Sequence, residues 1–331
     1  MENRKFRAMV VEETPDKTFA RSIKERNTDD LPDGDVLVQV SYSSLNYKDA
    51  LSAIGNRGVT KNYPHTPGID ASGIVAESRS PQFKPGDPVI VTSYDLGMNT
   101  PGGFGQFIRV PADWVVKLPT NLSLKESMIF GTAGFTAGVG VWHLSSIRPD
   151  QGEILVTGAT GGVGSLAVAI LSQCGYSVTA VTGKTGEKQF LTDLGAKNVL
   201  DRKAFLDTDG RPLLKARWAG VLDTVGGDML ATAIKSTDLY GIVTCCGNVS
   251  SPDLPITVFP FILRGISLIG ISSQNTPMDL RVKIWEKLAG VWKPKQLEKL
   301  ARCISLEKMD QNIRIILKGL QKGRVVVDLG K

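Results

Sequence analysis

This sequence predicts an α/β protein, with a doubly wound parallel sheet and a β-rich, barrel-like domain ahead of it. Three observations carry the prediction. The run Ile154 to Ile170 starts as an apolar strand, passes through four glycines between Gly158 and Gly164, and continues in helix-forming residues. A second β-type run, Tyr176 to Thr182, follows at the spacing of a β-α-β unit. From about Leu124 apolar strands and helices alternate, whereas the first third shows short alternating strands between Gly/Pro turns.

The elements follow in chain order. Val36 to Tyr42 alternates as a strand, and Ile69 to Ala76 reads as another. Pro85-Gly86-Asp87-Pro88 makes a turn into Val89 to Val91, and Gly102, Gly103 and Gly105 form a flexible stretch before Phe107 to Val110. Leu124 to Leu144 has helical spacing, with Ser123 as N-cap and Glu126 completing a capping box. Strands are expected at 153–158, 177–182, 197–200, 219–223, 240–246 and 266–272. Amphipathic helices are expected at Met278 to Val291 and near Asp310 to Leu320, and a last strand at Arg324 to Asp328. The predicted division is 1–124 with 276–331 for the barrel-like domain and 125–275 for the parallel sheet. Trp142, Trp218, Trp285 and Trp292 read as core or interface residues.

Composition narrows the classes. The 331 residues are enough for two cores, and 42% hydrophobic with 22% charged residues is an ordinary globular balance. The formal net charge of +6 is spread without a dense basic block, which argues against nucleic acid and suits an anionic substrate or cofactor. The start is charged, with no signal-peptide core, and no apolar run reaches transmembrane length, so no membrane association is expected. The four cysteines form no Cys-x-x-Cys pair, which fits a reduced cytoplasm better than a disulfide framework or zinc ribbon. His65 and His143 are too few for a histidine metal site and read as packing or surface residues.

The glycine run has a phosphate-binding logic. Gly161 is expected to make the tight turn, Gly164 to let helix and strand approach, and Gly162 to leave room for the ligand. N–H groups at Thr160, Gly161, Gly162 and Val163 would then face a pyrophosphate. Ala159 stands where the dinucleotide fingerprint has its first glycine. At the tip of the second strand Thr182-Gly183-Lys184 replaces the acidic residue that normally holds the ribose hydroxyls of NAD. A small hydroxyl, a glycine and a cation suit a 2′-phosphate, and therefore NADPH. Arg202, after the third strand, supplies a second cation there, although a plain surface role accounts for it equally well. Asp223-Thr-Val-Gly226, Cys246-Gly247 and Gly270-Ile-Ser272 mark strand ends at the ligand-binding edge. The Ile271 backbone and the Ser272 hydroxyl are candidates for the nicotinamide carboxamide. Lys318 and Arg324 are further phosphate candidates.

Ser44-Leu-Asn-Tyr-Lys-Asp49, Pro67-Gly-Ile-Asp70, Pro85-Gly-Asp87, Gly131-Thr-Ala-Gly-Phe-Thr136, Gly158 to Gly164 and Asp223-Thr-Val-Gly-Gly227 occur in an order that resembles the medium-chain dehydrogenase/reductase superfamily. Ser43 to Ala50, Gly131 to Ala137 and Phe259-Pro-Phe-Ile-Leu-Arg264 resemble its branch of acryloyl-CoA reductases and quinone oxidoreductases. The resemblance implies a GroES-like catalytic domain beside a Rossmann domain, an NADPH-dependent reductase of activated double bonds, and a homodimer; Gly265 to Ile271 would pair across it, although a buried strand in a monomer accounts for that run equally well. The zinc members place cysteine at Asn46 and histidine at Ile69, and neither residue here is a zinc ligand. Without a Lewis acid, reduction of a conjugated carbonyl or quinone fits better than alcohol oxidation. The family position of Tyr47 lies beside the nicotinamide, so its phenol is the first catalytic candidate, as orienting group or acid. Asn46 is the second, as an amide donor to cofactor ribose or substrate oxygen. Lys48 and Asp49 are expected to pair locally. A non-catalytic NADPH-binding protein is the alternative from another class.

Overall fold

The computed structural model describes residues 3–330. The chain forms two compact units. One takes the chain up to Thr132, Gln274–Val282 and the chain from Leu297 on; the other comprises Ala133–Ser273 and Lys283–Gln296.

The first unit opens with an antiparallel hairpin of β1 (Lys5–Glu13) and β2 (Phe19–Asn27), which the sequence reading did not find. Then follow β3 (Val36–Ser44), α1 (Tyr47–Ser52), β4 (Asp70–Ser78), β5 (Pro88–Thr92), β6 (Phe107–Val110) and β7 (Val115–Lys117). On β3, Val36, Val38 and Val40 enter the main core, while Leu37 packs on the opposite face with Phe6 and Phe107. Both faces of β3 are thus covered over its first half, by the main core on one side and by Phe6 and Phe107 on the other. The glycine stretch before β6 is not a flexible segment: it is buried, and a Cβ on Gly103 would lie 2.0 Å from the Asp70 carbonyl oxygen. These glycines permit backbone to pack on backbone. α2 (Leu124–Leu144) starts with the expected capping box: Glu126 N–H donates to Ser123 Oγ (3.1 Å), and Ser123 N–H donates to Glu126 Oε2 (2.9 Å). It is interrupted at Gly131 (φ 50°, ψ −157°).

In the second unit β8 (Glu153–Val156), α3 (Gly162–Gln173), β9 (Ser177–Thr182), α4 (Lys188–Asp193), β10 (Asn198–Asp201), α5 (Arg202–Phe205), β11 (Trp218–Asp223), α6 (Gly227–Lys235), β12 (Thr237–Cys245), α7 (Phe259–Arg264) and β13 (Ser267–Gly270) alternate. The sheet is parallel throughout, in the order β10-β9-β8-β11-β12-β13. The order reverses beside β8, the strand that feeds the glycine turn, and such switch points are where these sheets bind ligands. Trp218 is buried in the core with Leu155 and Val221, its indole N–H donating to Ser236 Oγ at 3.0 Å.

α8 (Met278–Ala289) crosses the division between the units. Residues 283–296, placed with the barrel-like domain from sequence, belong to the second unit, where buried Trp285 stacks on Phe135 with ring centroids 6.1 Å apart. The chain ends with β14 (Ala301–Ser305), α9 (Met309–Leu317) and β15 (Arg324–Asp328) in the first unit. Its sheet runs β14-β15-β3-β4-β5-β7, with β6 also on β3.

Candidate functional site

The glycine turn at the end of β8 is built as a ligand cradle. Gly161 N–H donates to Gly158 O at 2.9 Å and closes the turn. The left-handed residue in the turn is Gly158 (φ 58°), and Gly161 is extended. A Cβ at Gly158 would lie 2.3 Å from Thr224 Oγ1. A Cβ at Gly164 would lie 2.4 Å from Gly158 O, so this glycine lets α3 begin against the strand. Gly161 is the N-cap of α3, and Gly162 and Val163 open its first turn, where N–H groups have no helical partner. Thr160 and Thr182 hydroxyls meet at 3.2 Å and tie this turn to the tip of β9.

At that tip Lys184 N–H donates to Thr182 Oγ1 at 3.0 Å, and Gly183 is exposed. The exposed Arg202 lies against Gly183: a Cβ there would come within 3.1 Å of its guanidinium carbon. One cationic side chain thus lies against this glycine and a lysine follows it in sequence, where an acidic residue would repel a phosphate. Asp223 is consumed locally: its carboxylate accepts from Thr157 Oγ1 (2.5 Å), Gly226 N–H (2.8 Å) and Val225 N–H (3.1 Å). Burial pushes its carboxyl up, and these bonds oppose the shift. Ile271 N–H continues the ladder to Cys245 O at 2.9 Å. Ser272 is exposed beside it. Burial pushes the Cys246 thiol up to about 12, so it is no nucleophile at neutral pH.

The first unit holds Tyr47, Asn46 and Lys318. Tyr47 opens α1 and is 47% exposed, which makes its phenol accessible. Asn46 does not present its amide to a ligand. Its Nδ2 donates to Asp70 Oδ2 at 2.7 Å, with Ser44 O and Asp49 Oδ2 at 3.3 Å, and its Oδ1 accepts from Arg324 Nη1 at 3.1 Å. The role open to Asn46 is to hold the chain entering α1. Lys318 is exposed at the C-terminus of α9.

Arg324 is a correction to the phosphate expectation. It is 2% exposed, and its guanidinium is committed inside the first unit. It donates to Ser44 Oγ (2.7 Å), Ile129 O (3.0 Å) and Leu45 O (3.2 Å) as well as Asn46, with Asp70 3.8 Å away. Asp70 also accepts from Ser44 Oγ (2.5 Å) and from Thr132 Oγ1 (2.6 Å). This buried network fixes the approach to α1. Sequence reasoning missed it because no spacing rule brings residue 324 beside residue 44.

Asp49 shares the network, accepting from Asn46 N–H (2.7 Å) and Ile69 N–H (2.8 Å). Burial, with Asp70 adding, pushes its carboxyl up to about 7. A carboxyl whose folded pKa is raised binds more protons folded than unfolded, so its stabilising contribution is lost as pH rises from about 4 to about 7. Urea unfolding across that window is expected to show this slope in the wild type and a flatter one in Asp49→Asn; equal slopes refute the assignment. Among the described residues no group of three or more His, Cys, Asp or Glu side chains is arranged to hold a metal.

These features define a dinucleotide-dependent oxidoreductase fold, and the comparisons agree. Residues 32–120 match the family "Alcohol dehydrogenase GroES-like domain", and residues 162–289 match "Zinc-binding dehydrogenase". The chain is 43% identical to "Putative quinone oxidoreductase YhfP" of Bacillus subtilis, over 98% of this chain and 99% of the relative. The structure of that protein with NAD bound has a TM-score of 0.96, covering 98% of this chain and 100% of the other. It is 42% identical to "Acrylyl-CoA reductase AcuI" of Ruegeria pomeroyi, over 98% and 99% of the two chains. The yhdH oxidoreductase of Salmonella enterica in complex with NADP has a TM-score of 0.94 at 40% identity, covering 97% and 99%. This chain belongs to the medium-chain dehydrogenase/reductase family.

Proposed function

We propose that this chain is a zinc-independent, NADPH-dependent reductase that transfers hydride to the C=C of an α,β-unsaturated carbonyl, acryloyl-CoA foremost. The observation that carries this reading is 42% identity with an acrylyl-CoA reductase along 98% of the chain. The strand tip bearing Lys184 and Arg202 supports the cofactor choice. Quinone reduction with the same cofactor is the second reading, favoured by the likeness to YhfP. Both acceptors are conjugated electrophiles.

The residues present fit the cofactor, because the Gly158–Gly164 turn leaves backbone N–H groups, not side chains, at the start of α3. When bound, NADPH supplies the hydride. Thr160, Gly161, Gly162 and Val163 hold the pyrophosphate, and Thr182, Gly183, Lys184 and Arg202 surround the 2′-phosphate. The Ile271 carbonyl and Ser272 hydroxyl orient the carboxamide, and Lys318 is an outlying phosphate contact. Tyr47 orients the nicotinamide or acceptor and returns a proton from its phenol. Asn46 positions it.

The assay is NADPH consumption with acryloyl-CoA, benzoquinone and, in parallel, NADH as donor. Turnover with acryloyl-CoA and NADPH is expected; turnover with quinone alone moves the chain to the second reading. NADPH binding without any turnover makes it a binding protein. Tyr47→Phe is expected to slow turnover about 100-fold, and an unchanged rate removes the acid role. Lys184→Ala with Arg202→Ala is expected to cut the NADPH-over-NADH preference about tenfold or more, since each charge-assisted bond contributes about 1.5–3 kcal/mol. An unaltered preference places the 2′-phosphate elsewhere.

The assembly we expect is a homodimer. β13 is an edge strand, and Val258, Ile262 and Leu263 nearby in sequence are 63%, 68% and 58% exposed. Edge pairing would cover such a strand, and a monomeric mass by light scattering refutes it. The compartment we expect is the cytoplasm, since all four cysteines are free thiols. No helix among the described residues is long and apolar enough to cross a membrane.

A further inference from the structure

Lys48 is the second residue of α1, beside Tyr47, and is half-buried. The sequence pairs it with Asp49, but the Asp49 oxygens accept from the backbone N–H groups of Asn46 and Ile69. Lys48 Nζ instead donates to Gln274 Oε1 at 2.8 Å and lies 3.9 Å from the Met98 sulfur. Among the described residues it forms no ion pair. Gln274 is anchored in turn: its carbonyl accepts from Arg281 Nη2 at 3.2 Å and from Tyr94 N–H at 3.3 Å.

A lysine with a structural role usually carries its charge to water or to a carboxylate. Lys24, Lys125 and Lys235 do so here, meeting carboxylates at 2.6, 2.7 and 3.1 Å. Lys48 is held by a neutral amide and a thioether, which leave its charge uncompensated. Burial works against that charge and lowers the pKa, and Asp49 only partly opposes it. An ammonium has three donors, and these two contacts leave one over. A fixed, half-dry cation with a donor to spare stabilises negative charge that develops beside it.

We infer that Lys48 is the electrophilic residue of the reaction, its ammonium donating to the acceptor's carbonyl oxygen as negative charge builds there. The inference rests on the reductase reading above. As hydride adds to the β-carbon, the C=C pair shifts to join the α-carbon to the carbonyl carbon, the C=O pair moves onto the oxygen, and the α-carbon then takes a proton from the Tyr47 phenol. The electron pair is that of the hydride the proposed activity already supplies. Lys48 stays protonated, and no bond to its nitrogen breaks.

The test compares wild type, Lys48→Met, Lys48→Gln and Lys48→Arg on acryloyl-CoA, methyl vinyl ketone and benzoquinone. NADPH affinity and thermal unfolding are measured alongside. The expected result is a kcat about 10- to 100-fold lower in Lys48→Met and Lys48→Gln, on every acceptor the wild type reduces. KM, NADPH affinity and unfolding temperature stay near wild type, and Lys48→Arg recovers most of the rate. Lys48→Gln keeps the polar contact to Gln274, so it carries the comparison if the Met variant fails to fold. An unchanged kcat in the neutral variants overturns the inference. So does a loss confined to KM for the CoA thioester, which marks a phosphate contact, or a matching loss of NADPH affinity. A wild type that binds NADPH but reduces no acceptor sinks the reductase reading and this inference with it. An active wild type matched by Lys48→Met sinks this inference alone.

Discussion

Arg324→Met is expected to destabilise the first unit by about 3–5 kcal/mol, because it strands Asp70 as a buried charge without its cation. Arg324 donates to Ser44, Leu45, Asn46 and Ile129 as well as facing Asp70 at 3.8 Å, so the change also leaves carbonyl and amide acceptors without donors. The methionine fills much of the volume, so a cavity is a minor part of the loss. Thermal unfolding is expected to begin about 10 °C lower. Asp70→Asn in the same background is expected to return part of the stability, since it removes the stranded charge; a double-mutant cycle measures that coupling. An unfolding temperature within about 2 °C of wild type defeats the assignment of Arg324 as the cation of this network.

The second large effect is expected at Gly164. Its added Cβ would meet Gly158 O at 2.4 Å and Ala159 Cα at 2.8 Å, and both are backbone atoms that cannot rotate away. Gly164→Ala therefore moves the first turn of α3 off β8 and misaligns the N–H groups proposed to face the pyrophosphate. A displacement of about 1 Å is expected to weaken NADPH binding, read by fluorescence titration, and to slow turnover about 100-fold. Gly186→Ala is the control, because a Cβ there meets nothing within 4 Å. Near-equal affinities of the Gly164 and Gly186 variants rule out the cradle.

Much of the second unit was legible in the residues. The central strands β8, β11 and β12 carry apolar runs, the expected 177–182 strand matches β9 at both ends, and the other expected ends lie within about three positions of those observed. Parallel strands buried on both faces write that signal directly into sequence. The β1–β2 hairpin was not legible, because β2 reads Phe-Ala-Arg-Ser-Ile-Lys-Glu-Arg-Asn and its charged face hides the alternation. The glycine turn was recognised, and Gly161 closes it through its N–H to Gly158 O, but which glycine takes the left-handed φ was not legible. Four candidates in seven residues look alike until φ is known.

The candidate site divides the same way. Thr160 to Val163 and Thr182 to Lys184 are contiguous segments at strand ends, which is why local pattern offers them as candidates. Asn46 and Arg324 were assigned to ligands because a polar side chain in a loop or near a terminus carries no mark of its partner. The fold gives them to each other instead. Lys48 shows the reverse: sequence adjacency paired it with Asp49, and the tertiary structure gave it a neutral partner 226 positions away.

Fold class, parallel sheet and the glycine-rich turn were thus readable from the residues alone. Each is encoded in periodicity or in neighbours along the chain, where backbone geometry fixes distance. Only the tertiary structure decided which buried charges face one another and which polar side chains remain for a ligand. Those outcomes depend on contacts between segments far apart in sequence, where desolvation and hydrogen-bond geometry decide the pairing, not spacing along the chain.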